Sequence, residues 1–424
     1  MKSFSIHTLG CKVNRYDSGK LAGILLSYGL EQRKADADLA IVNSCSVTKT
    51  AIHKDKRAVM KIRRDNPGAF VVLMGCWPQA YGIEACDAAA DLVWGVGKLN
   101  ELAVRILKSA HHGNIESENA GSIIKVAQDR SRYFIKVQEG CEQYCSYCVI
   151  PYARGKLYSR PECEVINEVK AATDEGYAEI ILSGTHLGLY GKEKGSKAQT
   201  DLLGLLERIA AINNLSRIRL SSIEVIDINE DLIEFIASEK KMCKHLHIPL
   251  QSGADRILKS MNRPYTTAYF RDKVKAIREK IPDIAISTDV IVGFPGEDES
   301  GFYECAEFIK AIGFSRLHVF PFSAHEKTPA YAMPGKVPEK IIKERAGVLR
   351  EIGEALEADF KNKFEGSELE VVLERINNDG TYLGKSEYYF DVIFNDGEIL
   401  GDAPKAITKG FKGRVFKVRT RKIK

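Results

Sequence analysis

The stretch Gly140-Cys-Glu-Gln-Tyr-Cys-Ser-Tyr-Cys-Val-Ile-Pro151 places three thiols, Cys141, Cys145 and Cys148, within eight residues. It follows a short apolar run at 133–137 with the length and composition of a strand. Beyond it, strand-sized apolar runs recur at 179–183, 217–222, 245–250, 285–292 and 316–320. Helical patterns lie between them, such as Cys163, Ile166, Val169 and Thr173. This alternation predicts a partial (β/α)6 barrel whose first strand ends at the cysteine loop. A structural zinc site is closed by four ligands, and no fourth Cys or His lies near these three in sequence. A [4Fe–4S] cluster held by only three thiolates keeps one iron open to an outside ligand, which makes it a catalytic position.

Upstream, residues 1–110 alternate short strands at 4–9, 39–43, 70–75 and 91–96 with helical patterns. Leu21, Ile24, Leu25 and Tyr28 mark one helix, and Leu99, Leu102 and Ile106 another. A doubly wound parallel α/β domain is predicted. Its first three strands each lead into a cysteine: Cys11, Cys45 and Cys76. The carboxyl ends of parallel strands line one edge of a sheet, so these distant thiols can converge there as a second three-thiolate cluster. The alternative is three buried cysteines placed there by coincidence. The remaining Cys86, Cys163, Cys243 and Cys305 read as small buried hydrophobes, Cys163 and Cys305 on apolar helical stripes.

Residues 111–130 lose periodicity and read as a linker, leaving 131–362 as the barrel core. A charged helix at about 338–364 precedes strand-like alternation over 363–424, as in Glu368-Leu-Glu-Val-Val-Leu and Gly413-Arg-Val-Phe-Lys-Val-Arg. A small all-β, OB-like domain is predicted, with a plain structural barrel as the alternative. The fold class is therefore α/β with an all-β appendage.

With 44% hydrophobic and 28% charged residues, the 424-residue chain has an ordinary globular composition. Its apolar runs are too short to span a bilayer, and no apolar leader follows Met1, so a cytoplasmic protein without a membrane partner is expected. Its ten cysteines should then be thiols, which leaves metal binding or catalysis for the clustered ones. The net charge of +5 hides a concentration of cations: Lys405, Lys409, Lys412, Arg414, Lys417, Arg419, Arg421, Lys422 and Lys424. This suggests a polyanionic partner or a solubilising tail.

With both triplets in view, the chain resembles the radical S-adenosylmethionine methylthiotransferases over essentially its whole length. The matching stretches are Thr8-Leu-Gly-Cys-Lys-Val-Asn-Arg-Tyr-Asp-Ser, Asn43-Ser-Cys-Ser-Val-Thr, Gly75-Cys-Trp-Pro-Gln, the opening cysteine loop, Leu250-Gln-Ser-Gly-Ala-Asp and Val292-Gly-Phe-Pro-Gly-Glu. The resemblance implies an N-terminal cluster domain, a radical core and a C-terminal TRAM domain. It implies two [4Fe–4S] clusters and S-adenosylmethionine as both radical source and methyl donor. The cluster on Cys141, Cys145 and Cys148 would generate the radical, and that on Cys11, Cys45 and Cys76 would hold or deliver sulfur. By position, Gly184, Thr185, Glu224, Gln251 and Gly293 are expected to contact S-adenosylmethionine.

Thr8-Leu-Gly-Cys-Lys-Val-Asn and Ile150-Pro-Tyr-Ala-Arg-Gly look most like the branch acting on N6-threonylcarbamoyladenosine at position 37 of tRNA. The alternatives are N6-isopentenyladenosine in tRNA, an aspartate of a ribosomal protein or, in another class, a zinc-stabilised RNA-binding protein without catalysis. A tRNA anticodon stem-loop would be gripped by the basic C-terminal strands and by the helix holding His53-Lys-Asp-Lys-Arg and Lys61-Ile-Arg-Arg. Solvated helix surface is the other reading of those cations. The resemblance further implies an electron donor such as flavodoxin or ferredoxin, and leaves the oligomeric state open. His245 and His247 read as packed side chains. Trp77 stands where relatives often carry Tyr, and Ser323-Ala-His-Glu-Lys-Thr departs from the family's Ser-x-Arg-x-Gly-Thr.

Overall fold

The computed structural model describes residues 1–82, 90–109, 126–128, 131–401 and 413–420. The chain forms two compact units: one from Met1–Asp129, Glu139–Leu157 and Ser323–Tyr331, the other from Arg130–Gln138, Tyr158–Phe322 and Ala332–Lys424. Cys86, most of the expected linker and the cations Lys405, Lys409, Lys412, Arg421, Lys422 and Lys424 lie outside the described residues. Among the described residues no helix is long and apolar enough to cross a membrane.

The first unit begins with β1 (Ser3–Thr8), α1 (Lys12–Ser27), β2 (Glu31–Gln32), β3 (Leu39–Ser44), α2 (Lys49–Asp65), β4 (Phe70–Gly75), α3 (Cys76–Tyr81), β5 (Leu92–Val93) and α4 (Leu99–Ser109). The strands pair in parallel in the order β2-β1-β3-β4-β5. Side chains alternate across a strand, so Ile41, Val72 and Met74 pack with Leu21, Leu25, Leu102 and Ile106 on one face. Their neighbours Val42, Val71 and Leu73 pack with Val59 and Trp77 on the other. Helices α1 and α4 thus cover one face and α2 the opposite one, which is the expected doubly wound arrangement. The central strand β3 is buried along its whole length, and each such Leu, Ile or Val contributes about 1.5–3 kcal/mol of apolar burial. Strand β2, exposed at the edge, has no apolar signal and escapes a reading by periodicity.

In the second unit β6 (Tyr133–Lys136) joins Glu179–Ser183 and Arg217–Leu220 in one parallel sheet, while His245–His247, Ala285–Val292 and Arg316–Pro321 form another. Parallel bridges Ile218↔Met242 and Ser222↔His247 connect the two. The result is one open series of six parallel strands, the partial barrel expected. The antiparallel strands Glu368–Ile376, Tyr382–Ser386, Asp391–Phe394 and Val415–Arg419 form the small β sheet that follows. Its core includes Phe364, Val371, Phe390 and Val418, and helical Phe360 packs into it.

That sheet is fastened to the barrel strand Arg217–Leu220 by charge. Arg217 and Arg219, at most 1% exposed, donate to the carbonyls of Glu370, Ser386 and Glu387. Both also pair with the buried Glu179 carboxylate. Burial alone would raise that carboxyl, but Arg217, Arg219 and Arg132 hold it down to about 2.

Cys243 and Cys305 are buried as expected, whereas Cys163 is exposed. The helix Glu162–Asp174 turns Val165 and Val169 inward. Cys163 stands two positions before Val165, about 200° around the helix, and therefore faces out.

Candidate functional site

Cys11, Cys45 and Cys76 follow β1, β3 and β4, three adjacent parallel strands, and so share one edge of the sheet. Cys11 is exposed and extended at the start of α1, while Cys45 and Cys76 are buried. Asn14, one turn into α1, organises them. Its Oδ1 accepts from the Cys11 thiol at 3.4 Å and the Cys76 thiol at 3.8 Å. Its Nδ2 donates to the carbonyl of Ser44 at 2.7 Å and to Leu9 and Asn43 at 3.2 Å, which fixes the direction of the amide. Gly75, at φ +106°, turns the chain from β4 into Cys76; a Cβ there would stand 2.5 Å from Asn43 Oδ1.

Burial pushes the Cys45 thiol up to about 12, with Cys76 and Cys11 adding to the effect. Burial likewise pushes Cys76 up to about 11, opposed by Arg154 and reinforced by Cys11. Cys45 and Cys76 are therefore protonated near neutrality, and a metal that binds them must displace protons. Asp55 accepts the Cys45 backbone N–H at 2.9 Å, and burial raises the Asp55 carboxyl to about 7. Asp55 Oδ1 and Ser46 Oγ are buried without a hydrogen-bond partner among the described residues.

The second triplet occupies the loop that leads into α5 (Ile150–Arg154), within the same unit. Gly140 opens it at φ +81°, and the Cys141 N–H donates to the Gly155 carbonyl at 3.1 Å. Cys145 is buried, Tyr144 stands at φ +50°, and Ala330 N–H holds the Ser146 carbonyl at 2.8 Å. Helices α3 and α5 pack together through Cys76, Ala80, Val149 and Ala153. The residue after Cys148 and the first residue of α3 thus belong to one small core.

Arg154 joins the two thiol segments further. Its Nε–H donates to Cys76 Sγ at 3.2 Å, Nη2–H to Asn14 Oδ1 at 2.7 Å, and Nη1–H to Asp17 at 2.8 Å and to Glu139. Sequence reasoning missed Asn14, Asp17 and Arg154 as a set. The only signal was their presence inside quoted motifs, since nothing in a linear pattern says that positions 14, 76 and 154 meet.

Among the described residues no three His, Cys, Asp or Glu side chains close around a point as bound-metal ligands do. The fit of the thiols to an iron–sulfur group rests instead on donor chemistry and placement. Thiols are the soft ligands such clusters require. One set of three shares a sheet edge and a mutual electrostatic field, and the other set lies in a single eight-residue loop.

The five residues expected at S-adenosylmethionine lie in the second unit, after successive barrel strands. Gly184 and Thr185 follow Glu179–Ser183 and meet Gln138, whose Oε1 also accepts the His186 N–H at 2.8 Å. Glu224 pairs with the buried Arg263 guanidinium. Gln251 sits at φ +65°, tied to Asp289 and Ile291 through its backbone, and the Gly293 N–H donates to Glu297 at 3.1 Å. The strand ends bring these residues to one edge of the barrel, where ligands bind in such folds. His186–Asp227 at 2.8 Å and His247–Asp289 at 3.1 Å are buried or half-buried pairs that the linear reading did not find. His245 and His247 both bond Ser287 Oγ at 2.9 Å, in keeping with packed roles.

Comparison with known proteins agrees with this architecture. Residues 135–309 match the radical SAM superfamily, and residues 3–95 match uncharacterized protein family UPF0004. The threonylcarbamoyladenosine tRNA methylthiotransferase MtaB of Bacillus subtilis is 34% identical over 94% of this chain and 91% of its own length. The protein of the same name from Thermotoga maritima is 37% identical, covering 92% and 90%. The tRNA-2-methylthio-N(6)-dimethylallyladenosine synthase of Carboxydothermus hydrogenoformans is 33% identical, covering 96% and 97%. Among solved structures, the radical S-adenosylmethionine methyltransferase TsrM of Kitasatospora setae aligns with a TM-score of 0.58 at 17% identity, covering 78% of this chain and 75% of its own, a likeness of fold alone. Identity of this level, sustained through both cysteine-bearing regions and nearly end to end, places the chain in a single group of enzymes: it belongs to the radical S-adenosylmethionine methylthiotransferase family.

Proposed function

We propose that the chain converts N6-threonylcarbamoyladenosine at position 37 of tRNA to its 2-methylthio derivative. The observation that carries this reading is the pair of cysteine triplets held within one compact unit, in a chain whose relatives named for that nucleoside reach 37% identity. In this reading Cys141, Cys145 and Cys148 hold one [4Fe–4S] cluster, and Cys11, Cys45 and Cys76 a second. When bound, the clusters and S-adenosylmethionine supply the radical that removes hydrogen from C2 of the adenine, the sulfur, and the methyl group.

The protein's part is to hold and exclude. Gly184, Thr185, Glu224, Gln251 and Gly293 would bind S-adenosylmethionine along the barrel's strand ends. Asn14 orients the Cys11 and Cys76 ligands through its locked amide. Burial of Cys45 and Cys76 keeps water from their sulfurs. The three regions 1–110, 131–362 and 363–424 would act as sulfur module, radical core and RNA grip. The exposed cations Lys54, Lys56, Arg57, Lys61 and Arg64 of α2, with Arg414, Lys417 and Arg419, supply electrostatic attraction for an anticodon loop. Such an enzyme works in the cytoplasm with an electron donor such as flavodoxin or ferredoxin.

A second reading, methylthiolation of N6-isopentenyladenosine, is favoured by the 33% identity to the dimethylallyladenosine synthase over nearly the whole of both chains. Nucleoside mass spectrometry of tRNA from a strain lacking this chain separates the two. Loss of 2-methylthio-N6-threonylcarbamoyladenosine supports the proposal. Its persistence, with loss of the isopentenyl counterpart, supports the second reading and rejects the first.

A further inference from the structure

Arg154 lies six residues after Cys148, and its side chain is 1% exposed. A buried cation must be fully paired. Asp17 and Glu139 neutralise it, and both bond to Nη1. Its Nη2–H is taken by Asn14, whose own orientation is locked by Leu9, Asn43 and Ser44. The guanidinium is a rigid planar fork. With both Nη atoms fixed, the direction of the Nε–H is set, and it points at Cys76 Sγ, 3.2 Å away. Asn14 and Asp17 lie three apart on α1, the helix that begins immediately after Cys11. The frame that aims Arg154 therefore belongs to the thiol site itself.

A thiol is a weak acceptor, whereas a thiolate accepts a charge-assisted bond. The contact therefore strengthens when Cys76 gives up its proton to a metal. We propose that Arg154 is a positioning residue of the N-terminal thiol centre: its Nε–H orients the Cys76 thiolate and, by drawing electron density from that sulfur, makes the iron–sulfur centre held there easier to reduce by one electron. This rests on the reading that Cys11, Cys45 and Cys76 hold such a centre. Hydrogen bonds to ligand sulfurs are an established lever on cluster potential.

The test uses anaerobically reconstituted full-length protein carrying Cys141→Ala, Cys145→Ala and Cys148→Ala, so that only the N-terminal centre reports. Iron content and an EPR-monitored reductive titration with dithionite are compared for this parent, Arg154→Lys and Arg154→Gln. Arg154→Lys keeps the charge beside Asp17 but not the aimed Nε–H. Both variants are expected to shift the midpoint to lower potential, with roughly tenfold less reduced centre at the parent's midpoint in Arg154→Gln and a smaller loss in Arg154→Lys. An unshifted midpoint in an iron-loaded variant overturns the proposal, and if Arg154→Gln loses its iron, Arg154→Lys alone decides. A parent that binds no iron overturns instead the assignment of a cluster to these thiols, so the two failures are distinct.

Discussion

His325 and Tyr81 are joined ring to hydroxyl, 2.7 Å from Nδ1 to the phenolic oxygen. The other ring nitrogen, Nε2, lies 2.8 Å from the Val47 carbonyl. A carbonyl only accepts, so Nε2 carries the proton and Nδ1 accepts from Tyr81. One buried imidazole thereby fixes the loop after Cys45 to the helix that begins at Cys76. His325→Ala removes both bonds, and a loss of about 1 kcal/mol or more is expected by denaturant titration. Burial lowers the His325 pKa from 6.5, opposed by the bond to Val47. The unfolded chain then binds the proton before the folded one does, so this contribution is intact above pH 6.5 and declines as pH falls below it. His325→Gln should show a shallower loss of stability than wild type between neutral and mildly acidic pH.

The buried Glu179 answers to Arg217 and Arg219 at 2.6 and 2.9 Å, with Arg132 at 3.7 Å. Glu179→Gln removes the carboxylate paired with the buried Arg217 and Arg219 guanidiniums, and about 3–5 kcal/mol of stability should be lost. Because this carboxyl is held down to about 2, its contribution is complete above the ordinary value of 4.5 and fades as pH falls towards 2. Chemical denaturation at pH 7 checks the first statement. A wild-type stability difference that vanished at pH 7 would contradict it.

Gly140 has no room for a side chain. A Cβ there would lie 1.8 Å from the Lys156 carbonyl oxygen, at a φ of +81° that already disfavours other residues. Gly140→Ala must displace the turn that opens the Cys141 loop. The expected result is reduced iron in the radical-motif centre with the N-terminal centre still loaded, read by iron analysis of the variant in a Cys76→Ala background and in the wild type.

The outer face of α2 presents Lys54, Arg57 and Lys61, all exposed, above the packed stripe of Ile52, Val59 and Ile62. If these cations meet phosphate, Lys54→Glu with Lys61→Glu should weaken tRNA binding by about tenfold or more at low salt and flatten its salt dependence. The melting temperature should not move. Unchanged binding would return this face to ordinary solvated helix surface.

The elements that repeat were legible in the chain itself. The alternation of β1, β3, β4 and the barrel strands with their helices reports faces that must be buried, so periodicity locates them to within three residues, the largest miss being the strand expected over 245–250 and found as His245–His247. The cysteines at strand ends were legible for the same reason, because a parallel sheet gathers its carboxyl ends. Interactions between distant polar residues were not. Arg217 and Arg219 read as ordinary strand charges, yet they are buried against carbonyls 153 and 168 residues away, which no hydrophobic pattern encodes. Arg154 was visible in a motif but not its partner Cys76, because that meeting depends on how α3 packs on α5. Cys163 faces out because the buried face of its helix is centred on Val165, Val169 and Ala172, whereas the stripe through Cys163, Ile166, Val169 and Thr173 is centred well round from it.

Metal content tests the central account most directly. Iron and acid-labile sulfide should be measured per chain after anaerobic purification and reconstitution, for wild type, Cys145→Ala and Cys76→Ala. Two [4Fe–4S] clusters predict about eight irons in wild type and about four in either variant. About four irons in wild type, all lost on Cys145→Ala and none on Cys76→Ala, or zinc in place of iron, would contradict it.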